Sequence, residues 1–159
     1  MSQAMNNRAT MGKIEGLPTA EVIRRGMSET LDTPQDADTY VQNVARLAQS
    51  GMIKPIQIGN TVFLMHHYNI QNQPLPQGVA EVHVFTTESL PNLLMRMRVF
   101  PNTARQLGYT KITSFVDDPA IARIWSRLQR ETGIQGTIKP TVEYINGEMT
   151  PVYRMEATL

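Results

Sequence analysis

The segment VAEVHVFTTESLPNLLMRMRVF, residues 79–100, joins an alternating apolar strand to a helix with an apolar stripe. The alternation predicts a strand from Val79 to Thr87, because successive side chains of a strand point to opposite faces of the sheet. One face then carries Ala80, Val82 and Val84, and the other carries Glu81, His83 and Phe85. A strand that runs directly into a helix presents unpaired backbone amides, which are suited to binding a phosphate group.

The helix after this strand has apolar residues at helical spacing, namely Leu90, Leu93, Leu94, Met97, Phe100, Ala104 and Leu107. We expect it to continue through Pro101, which should kink it, and to stop at Gly108. No glycine occurs between Gly78 and Gly108, and Pro91 lacks the N–H group that a phosphate would accept. The turn therefore has the geometry of a phosphate site but not its usual residues.

Before this segment, the sequence predicts a helix and a hairpin. The helix starts near Pro34, has acidic residues in its first turn and ends before Gly51. The hairpin consists of strands at Ile56–Ile58 and Val62–Tyr68, joined by a turn at Gly59 and Asn60.

After it, the sequence predicts a strand within YTKITSFVDD, residues 109–118, and then a helix. Asp118 is the expected N-cap of this helix, Pro119 its first residue and Gly133 the residue that ends it. These are the residue types that commonly begin and end helices.

The last segment, TVEYINGEMTPVYRMEA at residues 141–157, predicts a hairpin with an Asn-Gly turn. Because Pro151 lacks a donor, we expect the second strand to lie at a sheet edge. The order of elements predicts an α/β fold of the α+β kind, in which helices flank a mostly antiparallel central sheet. We expect a polar arm over residues 1–18 and a single domain over residues 19–159.

Composition argues against several classes of protein. The 15 Lys and Arg nearly balance the 14 Asp and Glu, so no net field attracts nucleic acid or an anionic membrane. The absence of cysteine excludes disulfides, a thiolate nucleophile and a cysteine zinc site, and it favours the cytosol. Because the sequence shows neither a signal peptide nor an apolar run of about 18 residues, we expect a soluble, cytoplasmic protein.

The three histidines do not predict a metal site. They are His66, His67 and His83. Adjacent residues of a strand face opposite ways, so at most two of the three can share a site, and two ligands without a carboxylate do not make a zinc centre.

Two groups of residues have open interpretations. Arg123, Arg127 and Arg130 would share one helix face, which either faces solvent or meets phosphate groups or acidic partner residues. The N-terminal arm contains Met1, Met5 and Met11, and methionine suits adaptable interaction surfaces. The arm is therefore either a segment that binds other proteins or an inert tail.

The segment VDDPAIARIWSRLQRETG, residues 116–133, adds a local pattern to the order of elements. A mainly antiparallel meander that passes into a strand-helix-strand-helix unit and a closing hairpin resembles the GNAT-type N-acetyltransferases, over about residues 19–159. In that family the corresponding strand ends in Asn and the helix carries a Tyr. Asp118 and Trp125 stand at or near those positions here.

The resemblance implies a site for acetyl-CoA. The family binds the pyrophosphate at the turn after its central strand, through a segment of the type Gln/Arg-x-x-Gly-x-Gly/Ala that this chain lacks. If CoA binds, its pyrophosphate would be held by the backbone of Ser89, Leu90, Asn92, Leu93 and Leu94.

The resemblance also implies catalytic groups, since the family commonly uses a general base on the central strands and a Tyr hydroxyl as general acid. Glu81 or His83 would be the base here. His66 or His67 would lie next to it. The indole of Trp125 cannot act as an acid near neutral pH.

Two hypotheses follow. In the first, the chain keeps the fold without the acetyl-CoA chemistry or any cofactor, and acts as a binding or assembly protein through its N-terminal arm. Small acetyltransferase-like proteins of tailed bacteriophages, associated with virions, are similar in length and pattern, which implies the host cytoplasm or the virion. In the second, the chain is an acetyl-CoA-dependent N-acetyltransferase with an atypical cofactor loop. A turn with Pro91 and no glycine favours the first.

Overall fold

The computed structural model describes residues 16–28, 34–69, 71–116, 118–145 and 147–159. Most of the predicted N-terminal arm, and Asn146 in the last predicted turn, lie outside the described residues. The chain divides into two compact units, one made of the residues up to His66 with His83–Arg96, the other of His67–Val82 with Met97–Leu159. The single domain over residues 19–159 stays a prediction.

The first unit begins with two helices and a hairpin: α1 at Thr19–Ser28, α2 at Pro34–Gln49, β1 at Ile53–Ile58 and β2 at Thr61–His66. The predicted helix and hairpin are confirmed, and Gly59 in the hairpin turn has a φ of +61°, a conformation that favours glycine. The helix α1 was not predicted. Among the side chains of this helix that the structure describes, the fully buried apolar ones are Val22 and Ile23, which are adjacent and therefore do not repeat at helical spacing.

The segment that begins at Val79 forms strand β3, Val79–Thr86, and helix α3, Leu90–Gln106, as predicted. The helix continues through Pro101, which is buried together with Met97, Phe100 and Ala104. Leu90 and Leu107, at the two ends of the apolar stripe, are about half exposed. The kink at Pro101 stays a prediction.

The second unit contains β4 at Lys111–Val116, α4 at Pro119–Thr132, β5 at Gln135–Ile145 and β6 at Glu148–Thr158. The predicted ends of α4 are confirmed. The Asp118 side chain accepts a hydrogen bond of 2.9 Å from the amide of Ala120, and Gly133 ends the helix with a φ of +73°. Helix α4 packs on β4, β5 and β6.

The strands of the described residues form one mixed sheet in the order β1-β2-β3-β4-β6-β5, flanked by helices. Strands β3 and β4 are parallel, whereas the pairs β1–β2, β4–β6 and β5–β6 are antiparallel. The predicted fold class, a mostly antiparallel sheet flanked by helices, is confirmed.

The predicted edge position of the strand with Pro151 is wrong, because β5, not β6, is the outer strand. The proline fits inside the sheet because, among the residues that the structure describes, the last pair between β4 and β6 is Val116 with Tyr153. Pro151 lies two residues beyond that point and pairs with Val142 of β5 alone. The local edge that the proline needs is the overhanging end of β6.

Candidate functional site

The parallel pairing of β3 and β4 is short. It consists of Val79 with Lys111, Ala80 with Ile112 and Glu81 with Thr113, although β3 continues to Thr86. At the next position the Ser114 hydroxyl donates a 2.8 Å hydrogen bond to the carbonyl of Val82. A side-chain hydrogen bond thus adds to the contact between the two strands next to the last pair of the ladder.

Glu81, one of the two predicted general bases, is 2% exposed and forms an ion pair. Its Oε1 lies 3.3 Å from Nη1 of Arg154 and 3.4 Å from the Thr113 hydroxyl. The same guanidinium lies 3.8 Å from the Glu143 carboxylate. Burial raises the pKa of Glu81, and the Arg154 guanidinium opposes that shift. The Glu81 carboxylate is therefore held by an ion pair with Arg154 within the fold.

His83, the other predicted base, lies against His66, with the ring centroids 4.4 Å apart and the planes tilted by 47°. Burial lowers the pKa of His83, so the neutral imidazole, which can accept a proton, is favoured at neutral pH. Of the two histidines expected beside it, the structure brings His66 to the site. His67 instead makes a 2.7 Å hydrogen bond with the hydroxyl of Tyr109, in the second unit.

The turn between β3 and α3 contains an acidic group that the sequence analysis missed. Glu88 forms a two-point ion pair with Arg96, in which Nε and Nη2 each lie 3.0 Å from a carboxylate oxygen. The Thr61 hydroxyl donates a third hydrogen bond, of 2.9 Å, to the same carboxylate. These contacts lower the pKa of Glu88, with the hydrogen bond from Arg96 as the largest cause. The group is therefore ionised at neutral pH.

The β1–β2 turn leaves room for this ion pair. A Cβ at Gly59 would lie 2.5 Å from the guanidinium of Arg96, so the glycine allows the side chain to lie over the turn. A neighbouring amide, that of Thr87, donates to the carbonyl of Asn60 at 3.2 Å. The signal in the sequence is the acidic residue of TTESLP, which lies in the turn that lacks glycine.

The five residues predicted to hold a pyrophosphate do not all have a free amide, because α3 begins within them, at Leu90. The amide of Leu93 donates to the carbonyl of Ser89 at 2.9 Å. The amide of Leu94 falls within the regular helix, where the carbonyl four residues earlier accepts it. The amides of Leu90 and Asn92 belong to the first turn, and Pro91 between them has none.

Trp125 lies in the core of the second unit. It is 6% exposed and lines a small apolar cavity together with Met97, Ile112 and Met155. Its position is explained by packing.

The predicted basic face of α4 is exposed and partly paired. Arg127 lies 3.9 Å from Glu131, and Arg130 donates to the Ser126 hydroxyl at 3.4 Å. Glu131 also accepts from Arg98 at 3.0 Å. This pattern fits a solvated helix face with intrahelical pairs.

Comparison with solved structures identifies the fold. A spermidine N-acetyltransferase (SpeG) mutant from Vibrio cholerae aligns with a TM-score of 0.58 at 11% identity, over 91% of this chain and 91% of that chain. A ribosomal-protein-S5-alanine acetyltransferase from Vibrio fischeri aligns with a TM-score of 0.55 at 8% identity, over 86% of each chain. The chain has the fold of the GNAT-type acetyltransferases.

A third structure with the GNAT fold is RimL, a ribosomal L7/L12 alpha-N-protein acetyltransferase in complex with coenzyme A. It aligns with a TM-score of 0.52 at 15% identity, over 89% of this chain and 85% of that chain. The sequence matches no protein-family model and no curated protein. At these identities the likeness concerns the fold alone.

The part of the chain that the structure describes has neither a metal-binding cluster nor a membrane-spanning helix. No group of three or more His, Asp or Glu side chains there could hold a metal ion. None of the helices in the described ranges is both long and apolar enough to cross a membrane.

Proposed function

We propose that this chain is a non-catalytic binding or assembly protein that keeps the GNAT fold, with a structural role in the virion of a tailed bacteriophage. The observation that carries the proposal is the carboxylate of Glu88 in the turn between β3 and α3. In the family that the chain resembles, this turn holds the pyrophosphate of acetyl-CoA. A carboxylate fixed there by Arg96 and Thr61 repels phosphate groups, and it also binds the guanidinium of Arg96, which would otherwise be available to a phosphate.

The backbone of the turn supports the same conclusion. A pyrophosphate needs several convergent amides, and small residues that let it approach them. The turn has Pro91 in the first helical turn, the amide of Leu93 is bonded to Ser89, and there is no glycine between Gly78 and Gly108. The residues present therefore do not fit the pyrophosphate of CoA at this position.

A binding study tests this proposal. CoA and acetyl-CoA are titrated into the protein by calorimetry, with thermal shift as a second readout, because a ligand that binds the native state raises its apparent stability. We expect no binding at millimolar ligand. Glu88→Gln, which removes the charge at nearly constant shape, should bind CoA more tightly than the wild type. The control Glu148→Gln removes an equal charge from the last hairpin and should behave like the wild type. Micromolar binding by the wild type would overturn the proposal.

The proposed partners are other proteins, namely virion or assembly components contacted through the N-terminal arm; the virion context comes from the family resemblance. Deletion of residues 1–16 should abolish incorporation into purified virions, measured by quantitative mass spectrometry, while circular dichroism shows that the rest still folds. Normal incorporation of the shortened chain would contradict a role for the arm.

A second candidate is an acetyl-CoA-dependent N-acetyltransferase. It is favoured by His83, because burial lowers the pKa of this residue and favours the neutral imidazole that a general base requires. The aligned solved structures are also described as acetyltransferases. If transfer to an amine is measurable, His83→Gln should reduce turnover by at least about a hundredfold, the usual scale of general-base catalysis. Glu81→Gln should reduce it less, because Arg154 already binds that carboxylate. Unchanged turnover in His83→Gln would remove this residue from the mechanism.

A further inference from the structure

The last residues of the predicted N-terminal arm, residues 1–18, lie against the β1–β2 hairpin. The amide of Leu17 donates a 2.8 Å hydrogen bond to Oδ1 of Asn60, and the Leu17 carbonyl accepts one of 2.8 Å from Nε2 of Gln57. Oε1 of Gln57 also accepts a 2.5 Å hydrogen bond from the hydroxyl of Thr19, the first residue of α1. Side chains of the hairpin therefore bind both polar groups of the Leu17 backbone.

Asn60 is also bonded to the turn between β3 and α3. Its carbonyl accepts a 3.2 Å hydrogen bond from the amide of Thr87. The hydroxyl of the next residue, Thr61, lies 2.7 Å from that of Thr86 and 2.9 Å from the Glu88 carboxylate. The amide of Glu88 donates to the Thr86 hydroxyl at 3.0 Å. The side chain of Asn60 thus binds the arm, and its backbone binds the turn that contains Glu88.

These contacts form one continuous network within the first compact unit. The network runs from the Leu17 backbone through Asn60 and Thr61 to the ion pair of Glu88 with Arg96. Thr61 is fully buried, so water cannot readily replace a partner that its hydroxyl loses. A change at one end of such a network is therefore expected to alter the contacts that follow it.

We propose that Asn60 and Thr61 couple the N-terminal arm to the turn that contains Glu88. When the Glu88 carboxylate is bound, the turn fixes the backbone of Asn60 and with it the acceptor for the Leu17 amide. When the turn loosens, that acceptor is less well fixed and the arm is released more often. Because coupling is reciprocal, a partner that fixes the arm also stabilises the turn. The part of this coupling in partner binding rests on the proposed function, whereas the coupling itself does not.

Amide hydrogen exchange tests the coupling by NMR in the isolated protein, without CoA or a partner. Glu88→Gln removes the charge at the far end of the network. The exchange rate of the Leu17 amide should rise at least about fivefold, the lower end of the usual coupling between two sites. The amide of Val44, in α2 of the same unit, is the internal reference and should exchange at the wild-type rate. The matched control Glu148→Gln should leave the Leu17 amide unchanged.

A second variant tests the same link without removing a charge. Thr61→Val replaces the buried hydroxyl by a methyl group at nearly constant size, so the pair of Glu88 and Arg96 stays ionised but loses its bond to the hairpin. The Leu17 amide should again exchange faster than in the wild type, and the Val44 amide should not. Unchanged Leu17 exchange in either folded variant, or an equal rise at Leu17 and Val44, would overturn the proposal.

A double-mutant cycle measures the coupling as stability. Asn60→Ala removes the acceptor of the Leu17 amide, and Glu88→Gln acts at the other end of the network. The loss of unfolding free energy in the double variant should be smaller than the sum of the two single losses, because either substitution already disrupts the shared network. Asn60→Ala combined with Glu148→Gln should be additive. Additivity of Asn60→Ala with Glu88→Gln would overturn the coupling and leave the proposed function intact, since CoA binding and incorporation of the shortened chain test that function.

Discussion

Two glutamates seven residues apart, Glu81 in β3 and Glu88 in the turn after it, both pair with an arginine, yet their pKa values shift in opposite directions. Glu88 accepts two 3.0 Å hydrogen bonds from Arg96 and one from Thr61, and these lower its pKa. Glu81 has a 3.3 Å contact with Arg154, and its near-complete burial outweighs that contact and raises its pKa.

The comparison shows that an arginine partner does not by itself determine the direction in which the pKa of a carboxylate shifts. The two-point ion pair and the hydroxyl donor stabilise the ionised form of Glu88. The longer contact of the buried Glu81 does not fully compensate for the hydration that its carboxylate loses on burial. Glu88, the more readily ionised of the two, lies in the turn where a phosphate site would need positive charge. The less readily ionised group is the one that the sequence put forward as a catalytic base.

Removal of Arg154 should have the largest effect. Arg154→Met leaves Glu81 buried without its cation, and loss of one partner of a buried pair is expected to reduce the free energy of unfolding by about 3 kcal/mol. Urea unfolding at pH 7 measures the change. The double variant Glu81→Gln, Arg154→Met is the control and should recover part of the loss, because no charge stays buried. Equal destabilisation by both variants would show that the packing of Arg154, and not its charge, is what matters.

Removal of Arg96 should cost less. The two arginines are similarly exposed, Arg96 at 31% and Arg154 at 27%, but the Glu88 side chain is 10% exposed and that of Glu81 3%, so water replaces more of the interaction that Arg96→Met removes. We expect a loss of about 1.5 kcal/mol in the free energy of unfolding, the scale of a hydrogen-bonded charged group. A loss as large as that in Arg154→Met would contradict the distinction drawn between the two pairs.

Gly59→Ala perturbs the Glu88 pair without removing either charge. The new methyl group would displace the Arg96 guanidinium, and the positive φ of residue 59 disfavours alanine. We expect a loss of about 1 kcal/mol in unfolding free energy, in the range for a substitution at a special backbone conformation. Gly51→Ala is the matched control, since Gly51 also has a positive φ but no neighbour within 4 Å of the new Cβ. Equal losses of unfolding free energy in the two variants would show that displacement of Arg96 does not contribute to the effect of Gly59→Ala.

The smallest effect is a difference in pH dependence. The pKa of Glu81 is raised above its ordinary 4.5, so its contribution to stability is complete below about that pH and is lost as the pH rises through the folded-state pKa. The pKa of Glu88 is lowered, so its contribution is complete above 4.5 and is lost as the pH falls through the folded-state pKa.

Urea unfolding of the wild type, Glu81→Gln and Glu88→Gln between about pH 3.5 and 7.5 separates these two contributions. The stability of the wild type relative to Glu81→Gln should fall as the pH rises above 4.5. Relative to Glu88→Gln it should fall as the pH drops below 4.5. Slopes of the same sign for the two comparisons would refute the opposite pKa shifts.

Local signals in the sequence predicted most of the fold. Asp118, Pro119 and Gly133 define the ends of α4 through contacts within a few residues, so they could be recognised without the tertiary structure. Helix α1 was not predicted because Val22 and Ile23, the fully buried side chains among those described in it, are adjacent and show no helical period. The position of β6 was wrong because a proline indicates only that its own backbone donor is missing. An overhanging strand end meets that requirement as well as a sheet edge does.

The candidate site was harder to predict because its partners are distant in sequence. Glu81 pairs with Arg154, 73 residues away, and Glu88 with Thr61, 27 residues away. The sequence shows that a glycine-rich phosphate loop is absent. Nothing close to Glu88 in the sequence indicates that its carboxylate is held in the turn by hydrogen bonds. Its charge depends on contacts that only the folded chain creates.

Trp125 is the one tryptophan of the chain, and it lies in the core of the second compact unit. Tryptophan fluorescence will therefore report the loss of packing in that unit, whereas far-ultraviolet circular dichroism follows the helices of both. If the two signals change at the same urea concentration, the units unfold cooperatively, as coincident probes indicate for a two-state protein. If they separate, the order of the two transitions will show which unit is the more stable one.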